Sequence, residues 1–337
     1  MKNTEINAAR IVENAKRHWG RFVKTPIVNY LDEFKDIRRV FENFRTKEWA
    51  GFAIIHPDFY SAMILQDAKY VKSSEIHVYD LATRKLNNHS RTGGGPGFRL
   101  TDDLLHSSIH FKTKGYYIGY TFTDAAVKID IDIVATAAAK SFKGELILDA
   151  TRQSNPLVVS TQLSSTGRMY TNKIIYPAAG YLKVGDRCYD FDPQRDLLIL
   201  DEHKSRLPYQ TRWTWGTFAL PVDGSIIGAN FAARPQLSGQ EEESCIWTPG
   251  RVEALSDIHF DKASDSDHST WHIYSADGRL DVLFTPEGQK KVRHNFGIAG
   301  INYLQLYGTY KGILRGEEKT WNFEGIHGLC ETMHMRA

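Results

Sequence analysis

From Lys128 to Ile133 the chain alternates polar and apolar residues without a break, and the same period of two returns in Gly144–Asp149 and Tyr303–Tyr307. Side chains on a strand point alternately to its two faces, so this pattern suits a half-buried antiparallel strand and excludes a helix. Turn chemistry agrees. Asp223-Gly224 and Asp277-Gly278 each separate two alternating runs, and an Asp-Gly pair so placed is the strongest short hairpin signal. Further breaks fall at Gly185-Asp186, Pro286-Glu287-Gly288 and Arg315-Gly316. Strands joined by short turns, with no alternating strand-helix unit, predict an all-β chain forming a sandwich or barrel.

Helical spacing is confined to residues 1–46. Ile6, Ala9 and Val12, and then Leu31, Phe34, Ile37, Val40, Phe41 and Phe44, recur at intervals of three and four, which predicts one or two amphipathic helices leading into the body. Arg91–Gly97 reads as a mobile loop and Lys262–Ser269 as a solvated connection.

Part of the pattern occurs twice. Gly180-Tyr181-Leu182 leading to Phe191 matches Gly312-Ile313-Leu314 leading to Phe323, with both ends displaced by 132 positions. Upstream, Gly144-Glu145-Leu146 matches Gly278-Arg279-Leu280 at a displacement of 134. Two β-domains of similar plan follow, one over residues 47–200 and one over 201–337, each the size of a small barrel that is filled by side chains or holds one ligand.

The 42 basic and 40 acidic residues leave a net charge of +2, too small and evenly mixed to imply a nucleic-acid or membrane-surface partner. Cysteines at 188, 245 and 330 lack a CxxC spacing, so neither a disulfide framework nor a thiolate zinc site is expected, and a reducing compartment fits. No signal peptide or membrane span is read in the sequence, which makes the expected location cytoplasmic. The 16 Tyr, 17 Phe and 7 Trp suit β-structure and a pocket.

Several segments in order carry a resemblance: HPDFYSAMILQDAKYVKSSEIHVYDLATRKL, TRQSNPLVVS with YTNKIIYPAAGYLKVGD, RWTWGTF, and GTYKGILRGEEKTWNFEGIHGLCETMHMRA. Together they resemble the bacterial family catalogued as domain of unknown function 2804. That family is similar in turn to the two-barrel, lipocalin-like superfamily of carotenoid hydratases, tocopherol-cyclase-like proteins and natural-product cyclases. The resemblance implies two calycin-like barrels in tandem with a ligand cavity near their junction. It does not imply a reaction: relatives act on bulky, poorly soluble molecules by proton transfer, without nucleotide or redox cofactor, while others only bind. The helical amino-terminal segment departs from the family pattern.

Glu331 shares a strand face with Leu329, Met333 and Met335, and a carboxylate on an apolar face is either an edge residue or a buried acid able to move protons near neutral pH. His334 falls on the opposite face of a regular strand. Glu-x-x-His here has no second copy and a β context, so no metal is expected. Trp213 and Trp215 share a face with Tyr209 and form either a pocket wall or a barrel base. Tyr303, Gln305 and Tyr307 share another face, as do Tyr116, Ile118 and Tyr120, and would orient a ligand if they faced inward. Asn172 with Lys173, and Asn230 in a small-residue strand, are further ligand candidates, although an edge-protecting lysine and a backbone-satisfied amide serve equally. Gly93–Gly97 lacks the Lys-Ser/Thr of a phosphate loop, and no GxSxG or HExxH is present.

The expected function is a cofactor-independent acid-base enzyme, a hydratase, lyase, isomerase or cyclase, acting on a hydrophobic small molecule. A non-catalytic carrier or sensor of a lipid-like ligand is the alternative. A carbohydrate-active protein is a further one, but it requires a pair of flanking carboxylates that the sequence does not identify.

Overall fold

The computed structural model describes residues 5–93, 98–264, 266–295, 297 and 299–336. Most of the glycine-rich loop, residues 94–97, and Asp265 of the solvated connection lie outside the described residues. The chain divides into two compact units, residues 1–161 with 168–206, and residues 162–167 with 207–337. Each is a curled antiparallel sheet, and the chain has the tandem β-barrel fold.

The first unit opens with three short strands, β1 (Val12–Glu13), β2 (Lys16–Arg17) and β3 (Gly20–Phe22), and one helix, α1 (Asp36–Arg45). Its sheet contains β4 (Lys47–His56), β5 (Phe59–Asp67), β6 (Lys72–Asp80), β7 (Lys85–Thr92), β8 (Ser108–Thr113), β9 (Tyr116–Phe122), β10 (Ala126–Ile133) and β11 (Phe142–Asp149). It is completed by β12 (Leu157–Gln162), β13 (Arg168–Val184), β14 (Arg187–Phe191) and β15 (Leu197–Arg206). The second unit is built from β16 (Gln210–Val222), β17 (Ser225–Ala233), β18 (Cys245–Thr248), β19 (Arg251–Ala254), β20 (Ile258–Lys262), β21 (Trp271–Ser275), β22 (Leu280–Asn295), β23 (Gly300–Arg315) and β24 (Thr320–Arg336).

The two sheets repeat one strand order. In the first unit it runs β7-β6-β5-β4-β15-β13-β11-β10-β9-β8, and in the second β19-β18-β17-β16-β24-β23-β22-β21-β20. In each, the first long strand pairs with the last, β4 with β15 and β16 with β24. The duplicated glycines occupy the same place in both: Gly180 pairs with Phe191 and Gly312 with Phe323. Both have positive φ, +116° and +149°, and a Cβ would fall 2.1 Å from Glu145 O and 2.2 Å from Asp281 O. Only glycine fits so close to the neighbouring strand. The upstream match is displaced by two residues from the one read in the sequence, because Leu146 faces Gly180 but Val282, not Leu280, faces Gly312. A slip of two preserves the side-chain alternation, so the pattern alone does not reveal it.

Local chemistry explains the hairpins. Val222 pairs with Ser225 across Asp223 (φ +50°) and Gly224 (φ +77°), the double left-handed geometry of a type I′ turn. Gly185 has φ +62° between β13 and β14. Pro286-Glu287-Gly288 is not a turn: it lies inside β22 as a bulge, where the register with β23 shifts between Pro286 and Gly288. A bulge accommodates the missing proline N–H without ending the strand.

The strand β10 buries Val127, Ile129, Ile131 and Ile133 and turns Lys128 and Asp132 outward, as its alternation predicts. Tyr116, Ile118 and Tyr120 all join the core of the first unit, which also holds Phe52, Leu146 and Ile174. A separate core in the second unit gathers Phe218, Phe231, Trp271, Leu306, Tyr310 and Cys330.

The amino-terminal segment folds differently from its periodicity. Ile37, Val40, Phe41 and Phe44 lie in α1, and a 3-10 turn spans Tyr30–Glu33. Ile6 and Val12 lie in no helix: Ile6 bridges to Phe22, and Val12 belongs to β1. Gly20, at φ +132°, and the polar residues between these side chains let the segment lie flat on the first sheet. There Ile11, Val12, Phe22, Val28 and Tyr30 pack with Val158 and Tyr170, and β3 pairs with β12. Glu42 then ties α1 down by accepting from Arg168 at 3.1 Å and Arg206 at 2.5 Å.

Candidate functional site

Strand register in the second unit places Trp215, Glu331, Gln305 and Lys290 in one row across β16, β24, β23 and β22. Trp213, Met333 and Tyr303 form the next row, and Leu329 with Tyr307 the one beyond. This face is opposite the one carrying Gly216, Cys330 and Leu306, so it is turned away from the unit's own hydrophobic core. It is nevertheless largely buried: Trp215, Asn230, Gln305, Tyr307, Lys290 and Leu329 are all inaccessible or nearly so, and Glu331, Trp213 and Tyr303 are half-buried.

Glu331 is the hub. Its Oε1 accepts from Trp213 Nε1 at 2.8 Å, and its Oε2 accepts from Tyr303 OH at 2.6 Å and Gln305 Nε2 at 3.3 Å. Lys290 stands on the next strand, opposite Gln305. Burial pushes its ammonium down to about 8, and Glu331 works against that shift. A carboxylate surrounded by an indole, a phenol and an amide, with a weakly basic amine nearby, has the parts for proton transfer: an acceptor, oriented donors and a group that changes charge near neutral pH.

A second layer fixes the first. Trp215 Nε1 donates to Asn230 Oδ1 at 2.8 Å, and Asn230 Nδ2 donates to Glu243 O at 2.5 Å. Asn230 therefore orients Trp215, and the backbone-satisfied reading of this amide applies through its bond to Glu243 O.

Four of the sequence candidates, His334, Tyr209, Asn172 and Lys173, lie apart from Glu331. His334 is exposed and paired with Arg212 and Asn302 on the other face of β24, so the geometry does not join it to Glu331. Tyr209 precedes β16 and is 48 % exposed. Asn172 and Lys173 belong to the first unit, where they point to opposite faces of β13. Asn172 Nδ2 donates to Glu202 Oε2 at 3.1 Å on the core side. Lys173 instead pairs with Asp201.

Sequence reasoning missed Lys290, Glu202 and the Asp201 cluster. Burial would raise the Asp201 carboxyl, but Lys173 and His203 hold it well below the usual range. Asp201 Oδ2 accepts from Trp49 Nε1 at 3.1 Å, and Trp49 stacks on His203 at 4.4 Å. The repeat explains the likeness to the second unit: Lys173 lies seven positions before Gly180, as Gln305 does before Gly312, and their partners are Asp201 and Glu331. Trp49 and Trp213 each donate to that carboxylate from the neighbouring strand. The duplication was the available signal, but five residues between β14 and β15, against a continuous β24, change the offset and hide the match.

A cleft of about 320 Å³ in the first unit is lined by Ala125, Ala126, Ile147, Asp149, Arg152, Ala179 and Pro193. It contains none of the candidate residues and no buried ionisable group.

The family model described as "Domain of unknown function (DUF2804)" matches residues 22–336, and the chain belongs to that family. No curated protein matches it in sequence. Among solved structures it is similar to CghA crystallised with Sch210972, at 11% identity and TM-score 0.57 over 86% of this chain and 88% of that one. CghA without that compound gives TM-score 0.56 over the same shares. Kievitone hydratase from Nectria haematococca gives 0.49 at 11% identity, over 86% and 89% of the chains. At this identity the likeness to CghA establishes the fold.

Proposed function

We propose that this member of the DUF2804 family is a cofactor-independent acid-base enzyme of the hydratase, lyase, isomerase or cyclase kind, acting on a largely apolar small molecule, with Glu331 as the group that takes up and returns the proton. The observation that carries this reading is the convergence of Trp213, Tyr303 and Gln305 on Glu331, with Lys290 in the same row. The rings of Trp213 and Tyr303 present apolar surface while their polar tips hold the carboxylate, which positions it without neutralising it. Glu331 removes a proton from a substrate C–H or from an attacking water, and Lys290 supports negative charge developing on a substrate oxygen. The shared fold with CghA, crystallised with Sch210972, supports a role in handling small molecules rather than polymers.

The purified protein, incubated with pooled apolar metabolites, is expected to alter a compound by gain or loss of water or by a change of retention at constant mass. Glu331→Gln and Glu331→Ala should reduce that turnover by about 10²- to 10⁴-fold, the usual contribution of a positioned acid or base. Undiminished turnover in both variants removes Glu331 from the chemistry. Recovery of one stoichiometric, unaltered ligand from wild type and variants alike makes the protein a carrier.

A further inference from the structure

The helix α1 wears its apolar stripe on the outside. Ile37, Val40, Phe41 and Phe44 are 79, 64, 52 and 52 % exposed, although at 100° per residue they fall within about 100° of arc. Its opposite side holds Glu42, which is buried against Arg168 and Arg206. An ordinary surface helix has the reverse arrangement, with the apolar stripe inward. The turn between β5 and β6 extends the patch, since Tyr70 is 60 % and Val71 39 % exposed, and the Phe44 and Tyr70 rings lie 5.9 Å apart. Lys47 binds the two pieces together, donating to Phe44 O at 3.2 Å and Ala68 O at 3.0 Å with its ammonium 4.3 Å from the Tyr70 ring. Scattered exposed apolar residues are unremarkable, but a continuous patch of six marks a contact surface.

The surrounding charge identifies the partner. Between Lys35 and Lys47 there are five basic residues and two acidic ones, and one of the acidic pair, Glu42, is already engaged by two arginines. Arg38 and Arg45 fall just beyond the Phe41 edge of the stripe on the helical wheel. Lys47 is pushed down to about 8 chiefly by burial, with the like charges of Arg45 and Lys69 adding to the shift and Asp67 opposing it. An isologous dimer through this face would set these cations against their own copies. A bilayer rich in anionic headgroups complements both features, since phosphates meet the guanidinium groups while Ile, Val and Phe enter the acyl boundary.

We propose that α1 and the β5–β6 turn form a docking surface for an anionic phospholipid membrane, with the helix lying in the plane of the interface. This inference stands apart from the catalytic reading and is tested without turnover. In co-sedimentation, the full-length protein should bind vesicles of phosphatidylcholine mixed with phosphatidylglycerol at least tenfold more tightly than vesicles of phosphatidylcholine alone, and added salt should weaken the binding. The double variant Ile37→Ser/Val40→Ser, which changes only exposed side chains, should reduce binding by at least about tenfold, since each residue forfeits part of its burial. Arg38→Glu should lower the preference for the anionic vesicles. Three results overturn the proposal: absence of vesicle binding, equal binding by the double variant, or a concentration-dependent dimer abolished by that variant without vesicle binding, which would make the occupant a second copy.

Discussion

The indole of Trp213 donates to Glu331 Oε1 at 2.8 Å from the neighbouring strand, so the ring and the acid form one unit. Trp213→Phe keeps an aromatic ring at the position and deletes the donor together with part of the indole surface. The loss of one hydrogen bond to a half-buried charged group should lower stability by about 1 kcal/mol and reduce turnover more than it reduces substrate affinity. Urea midpoints and a kcat-against-KM comparison check both parts. A variant affecting KM alone would mean that Trp213 merely lines the site.

Lys290 gives the site a pH signature. Its folded-state value of about 8 lies below the ordinary 10.5, so between these values the unfolded chain holds a proton that the native protein lacks. Stability from this group therefore rises with pH across that window, and below it burial of the cation costs about 3 kcal/mol at ~1.4 kcal/mol per pH unit. Lys290→Met should flatten the wild-type rise between pH 8 and 10 in urea titrations. Parallel curves for the two proteins would show that the amine is solvated.

Glu202 has the opposite sign. Burial pushes its carboxyl up to about 7, with Lys204 and Asn172 opposing, so between about 4.5 and 7 the native protein holds the proton that the unfolded chain has released. Stability from this group falls as pH rises through that window. Glu202→Gln should therefore gain up to about 3 kcal/mol over wild type at pH 8 and little at pH 4.5. Equal denaturation midpoints at both pH values would exclude a buried, near-neutral carboxyl.

Gly180 and Gly312 should be intolerant of any side chain. Gly180→Ala and Gly312→Ala each press a Cβ against a backbone carbonyl at a positive φ, and should cost about 2–4 kcal/mol. Gly250, at φ +72° with open space around it, is the control, at about 1 kcal/mol. Thermal or urea denaturation separates the two classes.

These expectations show how far the residue pattern carries. Alternation at Lys128–Ile133 and the Asp223-Gly224 pair led directly to strands and a hairpin, because both signals are local. The choice of face was not local: Tyr303, Gln305 and Tyr307 were correctly grouped, yet whether they pointed to the core depended on how β23 and β24 pair. Lys290 was hidden for a similar reason, since the bulge at Pro286 shifts its register by one and only the folded sheet places it opposite Gln305. At the amino terminus the stripe of Ile37 to Phe44 predicted a helix, and α1 exists. Its outward orientation was illegible because Arg168 and Arg206, more than a hundred residues away, hold Glu42 inward. The near-zero net charge likewise averaged away the local excess of cations around α1.

In each unit the first long strand of the sheet is closed by its last, β4 by β15 and β16 by β24, and Asp201 and Glu331 both sit on that closing strand. Partners so distant along the chain meet late, because loop-closure entropy opposes the pairing until the intervening strands are ordered. On the ribosome, therefore, each carboxylate joins its tryptophan only when its sheet is otherwise complete. The carboxylate–tryptophan pair is thus the last part of each unit to be assembled, and a nascent or partly folded chain carries Trp49 or Trp213 without its acceptor.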